Sequence, residues 1–228
     1  MRRPFGRPPR PKRHWLRGPL ACGGALALAM LFPSVAGAWT QMYNSYPNSP
    51  QSCTDPGGYC IAWPKTANNM SVTLLYYLDP SLNLGYLDLR PYVGPEAGYW
   101  NNAPARNPIL KETPYYDNAV VFIYVGDIRT DCNMVVFACT YDDNYGGHTI
   151  SDSRIYLNNQ TVWNVTGYIT QTNADARCII GHELGHVQAL GHTGMAGIMN
   201  SSYQYSHVIY KPLTNDIQGL QAIYGAYP

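Results

Sequence analysis

Three histidines and one glutamate occur close together near the carboxyl end of the chain. His182, Glu183 and His186 form a His-Glu-x-x-His pattern, and His192 follows six residues later. Histidines four residues apart lie one above the other on a helix face, so both imidazoles can bind one metal ion. A catalytic zinc ion takes three protein ligands and leaves a fourth position for water, whose proton the neighbouring glutamate can accept. The pattern therefore predicts a zinc site of His182, His186 and His192, with Glu183 as the general base.

The third histidine requires a change of chain direction. His192 cannot reach the metal from the straight helix that carries the first two ligands, so the chain must turn soon after His186. The spacing predicts a bend near Gly191 that brings His192 back to the site. His207 would be the substitute ligand if His192 did not reach the metal, although a loop position accounts for His207 as well.

The residues around the motif predict the helix that must hold the first two ligands. Thr172 and Asp175 have the spacing of a capping box, which would begin a helix before His182. Apolar residues surround much of the segment, as expected for a helix within a core: Ile179, Ile180, Leu184, Val187 and Leu190. Glu183 is one of only three glutamates in the chain. A charged residue among apolar neighbours needs a function or a partner.

The motif and the residues after it resemble the matrixin branch of the metzincin metallopeptidases. The matrixin pattern is His-Glu-x-x-His-x-x-Gly-x-x-His followed by a turn that contains methionine, and residues 197–203 (Gly-Ile-Met-Asn-Ser-Ser-Tyr) are similar to that turn. The resemblance implies that Met199 lies beneath the zinc ligands and that Tyr203 lies beside the specificity pocket. It also implies a zinc-dependent endopeptidase in which Glu183 activates a zinc-bound water.

One position departs from the matrixin pattern. Ala189 stands where the family has glycine, and Gly191 follows two residues later. If the family glycine adopts a left-handed conformation, alanine costs roughly 1 kcal/mol there, which a metal bond would outweigh. Alternatively, the helix continues slightly further and turns at Gly191.

The rest of the chain indicates an α+β fold. Strands are predicted over residues 72–78, 119–125, 134–138 and 154–157, and a weak helix over 97–107. Residues 213–225 are similar to the closing helix of a matrixin domain, with Thr214 as the N-cap and Gly225 as the stop. Strands first and the best helices last are typical of α+β domains. The resemblance implies a metzincin, zincin-like fold: a twisted, mainly parallel β-sheet with an active-site helix and a C-terminal helix.

The amino-terminal 38 residues have the features of a secretory signal peptide. Seven basic residues precede an apolar run over residues 20–35, and Ala-Gly-Ala follows at residues 36–38. The run is too short for a membrane anchor, and a small-x-small sequence is a typical cleavage site. Arg2 and Arg3 also suggest a twin-arginine signal, but the apolar residues that this motif needs directly after them are missing. We expect a secreted, extracellular protein without a membrane anchor after cleavage.

Removal of the signal would make the protein acidic. The chain has 15 Lys and Arg residues and 14 Asp and Glu residues, but the signal holds seven of the basic residues and none of the acidic ones. Eight basic residues remain against 14 acidic ones, a net charge of −6. This charge disfavours nucleic acid and anionic membranes as partners.

The length that remains, roughly 190 residues, suits one domain with a full core. We divide it into an N-terminal segment, residues 39–62, and a catalytic domain, residues 63–228. We expect a monomer whose partner is a protein or peptide substrate.

Five cysteines follow the signal: Cys53, Cys60, Cys132, Cys139 and Cys178. In an oxidising compartment, Cys53 with Cys60 and Cys132 with Cys139 are the natural local disulfides, although the sequence alone leaves the connectivity open. We interpret Cys178 as a buried free thiol rather than a metal ligand. Matrixins often carry a propeptide cysteine that blocks the zinc, but no Pro-Arg-Cys-Gly-like motif occurs here. If residues 39–62 were inhibitory, Cys53 would be the blocking residue; we favour a disulfide staple.

Two features have more than one interpretation. Residues 142–148 (Asp-Asp-Asn-Tyr-Gly-Gly-His) would suit calcium, because hard cations favour carboxylates and carbonyls, but a surface turn explains them as well. The 20 tyrosines, all after the signal, form either a binding surface or an ordinary surface with little charge.

Two other functions are compatible with the motif. A non-catalytic secreted binding protein would use zinc structurally, and a closed structural site has four protein ligands. A zinc hydrolase that acts on a non-peptide bond would keep the same metal site and differ only in its cleft.

Overall fold

The structure, a computed structural model, describes the chain in seven segments. These are residues 40–41 (backbone only), 61–64, 71–128, 137–143, 149–170, 172–200 and 208–226. All of them lie in one compact unit, residues 36–228. The predicted signal peptide lies outside the described residues, so the division into residues 1–38, 39–62 and 63–228 stays a prediction.

A five-stranded sheet forms the centre of the protein. The described strands are β1 (Thr40–Gln41), β2 (Thr73–Leu78), β3 (Ile109–Glu112), β4 (Val121–Gly126), β5 (Ala138–Asp143), β6 (Asp152–Asn158), β7 (Val162–Asn164), β8 (Asn173–Asp175) and β9 (Leu190–Gly191). The central sheet has the order β3-β2-β4-β6-β5. Its first four strands run parallel, and β5 pairs antiparallel with β6 at the edge. The predicted α+β fold with a mainly parallel sheet is therefore confirmed.

The strands show the alternation that lets one face of a sheet pack on a core. Along β6, Ser153, Ile155 and Leu157 are buried, whereas Arg154 and Tyr156 are partly exposed. The predicted strand over 134–138 ends too early, because β5 continues to Asp143. Residues 134–136 themselves lie outside the described part of the chain.

Three α-helices complete the described fold: α1 (Arg90–Asn101), α2 (Ala176–Val187) and α3 (Thr214–Tyr224). Two short 3-10 helices, Pro80–Leu82 and Tyr116–Asn118, lie between the strands. The prediction of a helix over 97–107 was wrong in its bounds. Helix α1 contains Pro95 and two glycines, which disfavour a helix. However, Leu89, Val93, Ala97 and Trp100 are buried at helical spacing, and their packing outweighs the local preference.

Two predicted helix caps were also wrong. The N-cap of α2 is Asp175, whose carboxylate accepts hydrogen bonds from Arg177 N (3.0 Å) and Cys178 N (3.3 Å). Thr172 has no capping role, because β8 separates it from the helix. In α3 the N-cap is Leu213, whose N–H donates to the carboxylate of Asp216 (2.7 Å), and Thr214 is the first helical residue.

The predicted stop of α3 is confirmed. Gly225 follows the helix with a φ of 95°, a left-handed value that glycine adopts without steric cost.

Two indole hydrogen bonds hold the ligand-bearing helix α2, one in its middle and one at its carboxyl end. Trp100 of α1 donates from Nε1 to Gly181 O (2.8 Å), and Trp63 donates from Nε1 to Val187 O (2.6 Å). Val187 ends the helix, so its carbonyl has no partner within the helix itself. Among the described residues, no helix is long and apolar enough to cross a lipid bilayer.

Candidate metal centre

The three predicted histidine ligands lie together. His182 and His186 project from α2, and His192 follows directly after β9. The Nε2 atom of His192 is 3.1 Å from Nε2 of His182 and 3.2 Å from Nε2 of His186. The three residues form a group whose ligand atoms all lie within 4.8 Å of one another. Three imidazole nitrogens thus converge on one point.

Backbone carbonyls orient the two helix-borne imidazoles. Nδ1 of His182 lies 2.6 Å from Ile198 O, and Nδ1 of His186 lies 2.7 Å from Leu190 O. A carbonyl oxygen can only accept, so each Nδ1 carries the proton, and each Nε2 is left with a lone pair. Metal-binding histidines use this arrangement, in which Nδ1 donates its proton and Nε2 carries a lone pair.

Burial keeps the imidazoles neutral. Burial, together with the nearby His192, lowers the pKa of His182 to about 4, although the hydrogen bond to Ile198 O acts in the opposite direction. Burial also lowers the pKa values of His186 and His192. All three are therefore uncharged at neutral pH, as metal ligands must be.

The spacing of the nitrogens fits zinc. Two Zn–N bonds of about 2.0–2.1 Å at a tetrahedral angle place their nitrogens about 3.3–3.4 Å apart. The Nε2 separations of 3.1 and 3.2 Å are close to that value. The donor set, three neutral imidazoles, is also one that catalytic zinc sites use.

The chain reverses at Ala189 rather than at Gly191. Ala189 has a φ of 66°, which makes it the one non-glycine residue with a positive φ in the described part of the chain. Its N–H donates to His186 O (2.7 Å) directly after the last turn of α2. Gly191 is extended and pairs with Thr40 of β1. Of the two alternatives left open by the sequence, the left-handed Ala189 is therefore confirmed, and the bend lies two residues before Gly191.

Met199 lies against the helix between the two ligands. A Cβ atom added to Gly185 would overlap Met199 Sδ and would lie 2.8 Å from Trp100 Cζ2. The glycine therefore allows the methionine and the indole to approach the backbone of α2. Met199 is buried at this contact, and its expected role as a floor beneath the zinc ligands stays a prediction.

A buried carboxylate holds the turn that contains Met199. Asp216 of α3 accepts hydrogen bonds from Ile198 N (3.0 Å) and Met199 N (3.3 Å) as well as from its own helix. Thr193 N, one residue after His192, donates to Met199 O (2.9 Å). The same turn therefore carries the carbonyl that orients His182 and contacts the segment of His192.

Glu183 is buried beside the histidines, and a threonine contacts it. Thr140 Oγ1 of β5 donates to Glu183 Oε2 at 2.7 Å. Burial raises the pKa of Glu183 to about 7, and this value includes a lowering by the hydrogen bond from Thr140 and a raising by the nearby Asp142. A carboxyl with this pKa can accept and return a proton near neutral pH.

Thr140 is a site residue that the sequence analysis missed. The predicted strand ended at residue 138, so Thr140 was not placed on a strand at all. Only the register of β5 with β6, in which Thr140 pairs with Ile155, brings it beside α2. If the predicted strand had been extended by two residues, the alternation of side chains would have placed Thr140 on the same face as Ala138.

Several other predictions fall partly or wholly outside the described residues. Tyr203 and His207 lie outside the described residues, so their predicted roles stay predictions. The calcium prediction is also untested, because Asp142 and Asp143 belong to β5 but residues 144–148 are not described. Cys178 is a buried free thiol, as expected, and is not part of the histidine group. The two predicted disulfides each include a cysteine outside the described segments and stay predictions.

Comparison with known families agrees with this geometry. Residues 129–225 match the model of a peptidase family whose description is Matrixin. The matched range contains the three histidines, Glu183 and Met199. No curated protein matches the chain.

Proposed function

We propose that the chain, whose residues 129–225 match the matrixin family model, is a secreted matrixin-like zinc endopeptidase with Glu183 as its general base. The observation that carries this proposal is the convergence of three imidazole Nε2 atoms beside a buried carboxylate. His182, His186 and His192 would hold the metal. Met199 would form the apolar floor, and Tyr203 would line the specificity pocket.

The chemistry follows from the positions of the side chains. Zinc, when bound by the three histidines, would polarise the peptide carbonyl and lower the pKa of the attacking water. Glu183 accepts a proton from that water as its oxygen bonds to the carbonyl carbon. Glu183 then passes the proton to the amide nitrogen as the C–N bond breaks. The pKa of about 7 suits Glu183 to both transfers near neutral pH.

Export is the second part of the proposal. Residues 1–38 would act as a signal peptide, since a basic start, an apolar run and a small-x-small sequence occur in that order. The product would be acidic, with a net charge of −6. Its partner would be a protein or peptide substrate rather than nucleic acid or a membrane.

The coordination number favours catalysis over a structural role for the metal. In the described part of the chain, the metal-binding group has three members. A closed structural site has four protein ligands, whereas a catalytic site keeps one position for water or substrate. The non-catalytic binding protein is therefore the weaker alternative.

Chelator-sensitive cleavage of labelled casein tests the proposal. The wild-type protein should cleave it and lose activity with a zinc chelator. Glu183→Gln should retain one zinc per chain and lose about 10²- to 10⁴-fold in rate, the usual contribution of a general base. Glu112→Gln, on the exposed end of β3, is the matched control and should stay active.

Two results would contradict the proposal. Full casein cleavage by Glu183→Gln would exclude the assigned general base. A zinc-loaded wild-type protein that leaves casein intact but hydrolyses an ester in a chelator-sensitive way would favour the hydrolase of non-peptide bonds.

A further inference from the structure

The edge strand of the central sheet contributes a hydroxyl group to the candidate site. Thr140 lies in the middle of β5, which pairs antiparallel with β6 and has no partner strand on its other side in the described sheet. Its Oγ1 lies 2.7 Å from Glu183 Oε2 and 3.2 Å from Glu183 O. A hydroxyl has one proton, so the shorter contact, to the carboxylate, is the hydrogen bond.

The backbone fixes the position of this hydroxyl. Thr140 pairs with Ile155 of β6, whose side chain is fully buried, so the backbone of Thr140 is anchored to a buried strand. Threonine is branched at Cβ, which restricts χ1 on a strand. The hydroxyl is therefore held in place before any substrate binds.

Glu183 depends on this contact for its orientation. In the part of the chain that the structure describes, the one hydrogen bond to the Glu183 carboxylate comes from Thr140. A glutamate side chain has several rotatable bonds, and its terminal torsion has a broad energy well. Without a partner, the carboxylate of Glu183 could rotate away from the histidines.

We propose that Thr140 is a positioning residue for the general base. By donating to Oε2, it occupies that oxygen and leaves Oε1 to accept the proton of the attacking water. During the reaction the water oxygen bonds to the carbonyl carbon and its proton moves to Glu183 Oε1. The proton then moves to the amide nitrogen as the C–N bond breaks, while the Thr140 hydroxyl keeps its own proton. This inference rests on the proposed function and adds a residue to it.

A purely structural role is the alternative. In that case the hydroxyl would merely satisfy a buried carboxylate, and its loss would lower stability without a specific effect on turnover. A positioning role instead predicts a loss in kcat with little change in KM, because substrate binding does not need the proton acceptor.

Two variants separate these roles. Thr140→Val keeps the shape and the β-branch and removes the hydroxyl, whereas Thr140→Ser keeps the hydroxyl. Thr73→Val, on an exposed position of β2, controls for loss of a threonine hydroxyl elsewhere in the sheet. Thermal unfolding of each variant checks the fold, and zinc content checks the metal site.

Kinetics on labelled casein give the first measurement. Thr140→Val should lose about 10- to 100-fold in kcat, as expected when a reacting group is misplaced by about 1 Å. We expect its KM to stay within about twofold of the wild type, and Thr140→Ser to recover most of the lost kcat. Unchanged kcat in Thr140→Val, or no recovery in Thr140→Ser, would overturn the proposal.

Carboxyl ¹³C NMR of the metal-free protein gives a measurement that is independent of activity. The chain has only three glutamates, so δ-¹³C-glutamate labelling gives three carboxyl resonances, of which Glu183→Gln identifies one. Thr140→Val should shift the Glu183 resonance and leave those of Glu96 and Glu112 in place. An unmoved Glu183 resonance would overturn the proposal.

The results also separate this proposal from the one on which it rests. If the wild-type protein cleaves casein but Thr140→Val retains its kcat, only the role of Thr140 fails. If the wild-type protein loaded with zinc does not cleave casein at all, both the proposed function and the proposed role of Thr140 fail.

Discussion

Gly185 offers a sharp test of how Met199 packs against α2. Gly185 lies one residue before His186 on α2, where an added Cβ would overlap Met199 Sδ and lie 2.8 Å from Trp100 Cζ2. Gly98 of α1 is the matched control, because a Cβ there would meet nothing within 4 Å. Both changes place alanine in a helix, and only one of them crowds its surroundings.

The two substitutions should therefore have opposite effects on stability. Replacing a helical glycine by alanine stabilises a helix by about 1 kcal/mol, which is the whole expected effect of Gly98→Ala. In Gly185→Ala this gain is opposed by overpacking, which costs about 1–3 kcal/mol in a well-packed core. Since both a thioether and a rigid indole must move, we expect a cost near the top of that range and a net loss of about 2 kcal/mol.

Thermal unfolding of the metal-free proteins measures the difference. For a domain of this size, about 1 kcal/mol corresponds to about 2–4 °C in Tm. Gly98→Ala should thus melt a few degrees above the wild type and Gly185→Ala several degrees below it. Zinc affinity should also fall in Gly185→Ala by about 10-fold or more, because displacement of Met199 moves the carbonyl of Ile198 that orients His182. A rise in Tm for Gly185→Ala equal to that of Gly98→Ala would refute the described packing.

Two further predictions concern buried carboxyl groups. Asp216→Asn removes the charge that accepts hydrogen bonds from Ile198 N, Met199 N and Leu213 N. We expect the free energy of unfolding, measured in urea, to fall by about 2–4 kcal/mol. A fall of less than about 0.5 kcal/mol would contradict this role. Burial raises the pKa of Glu96 from 4.5 to about 8. Between about pH 4.5 and 8, the Glu96 carboxyl therefore ionises in the unfolded chain but not in the folded one, so the folded wild type should lose stability as the pH rises. The stability advantage of Glu96→Gln over the metal-free wild type should therefore grow over that window by on the order of 3 kcal/mol, and a pH-independent difference would refute the raised pKa.

The helix-borne part of the site could be predicted from local spacing alone. His182 and His186 share a face because they are four residues apart, and that relation holds in any helix. The same local rule places Glu183 next to the first ligand. The sheet could be predicted in outline for a similar reason, since short apolar runs such as that of β4 specify strands without knowledge of their neighbours.

The rest of the site depends on contacts between distant segments. The left-handed conformation of Ala189 is locally unfavourable, so local preference alone could not decide between Ala189 and Gly191 as the position of the bend. Asp175 caps α2, and the pairing of β8 with β7 keeps Thr172 outside the helix. Thr140 reaches Glu183 only through the register of β5, which the sequence of that strand does not reveal.

The buried Nε2 lone pairs of His182 and His186 affect the stability of the metal-free protein. In the folded chain these nitrogens are withdrawn from water, so the rest of the core must offset the cost of their desolvation. A cation that binds only the folded chain supplies a partner for the nitrogens and shifts the folding equilibrium by mass action. Zinc would then stabilise the fold as well as serve as the catalytic cofactor. When zinc is scarce, we expect the metal-free protein to open more often and to be degraded, so that the amount of protein would fall together with its activity.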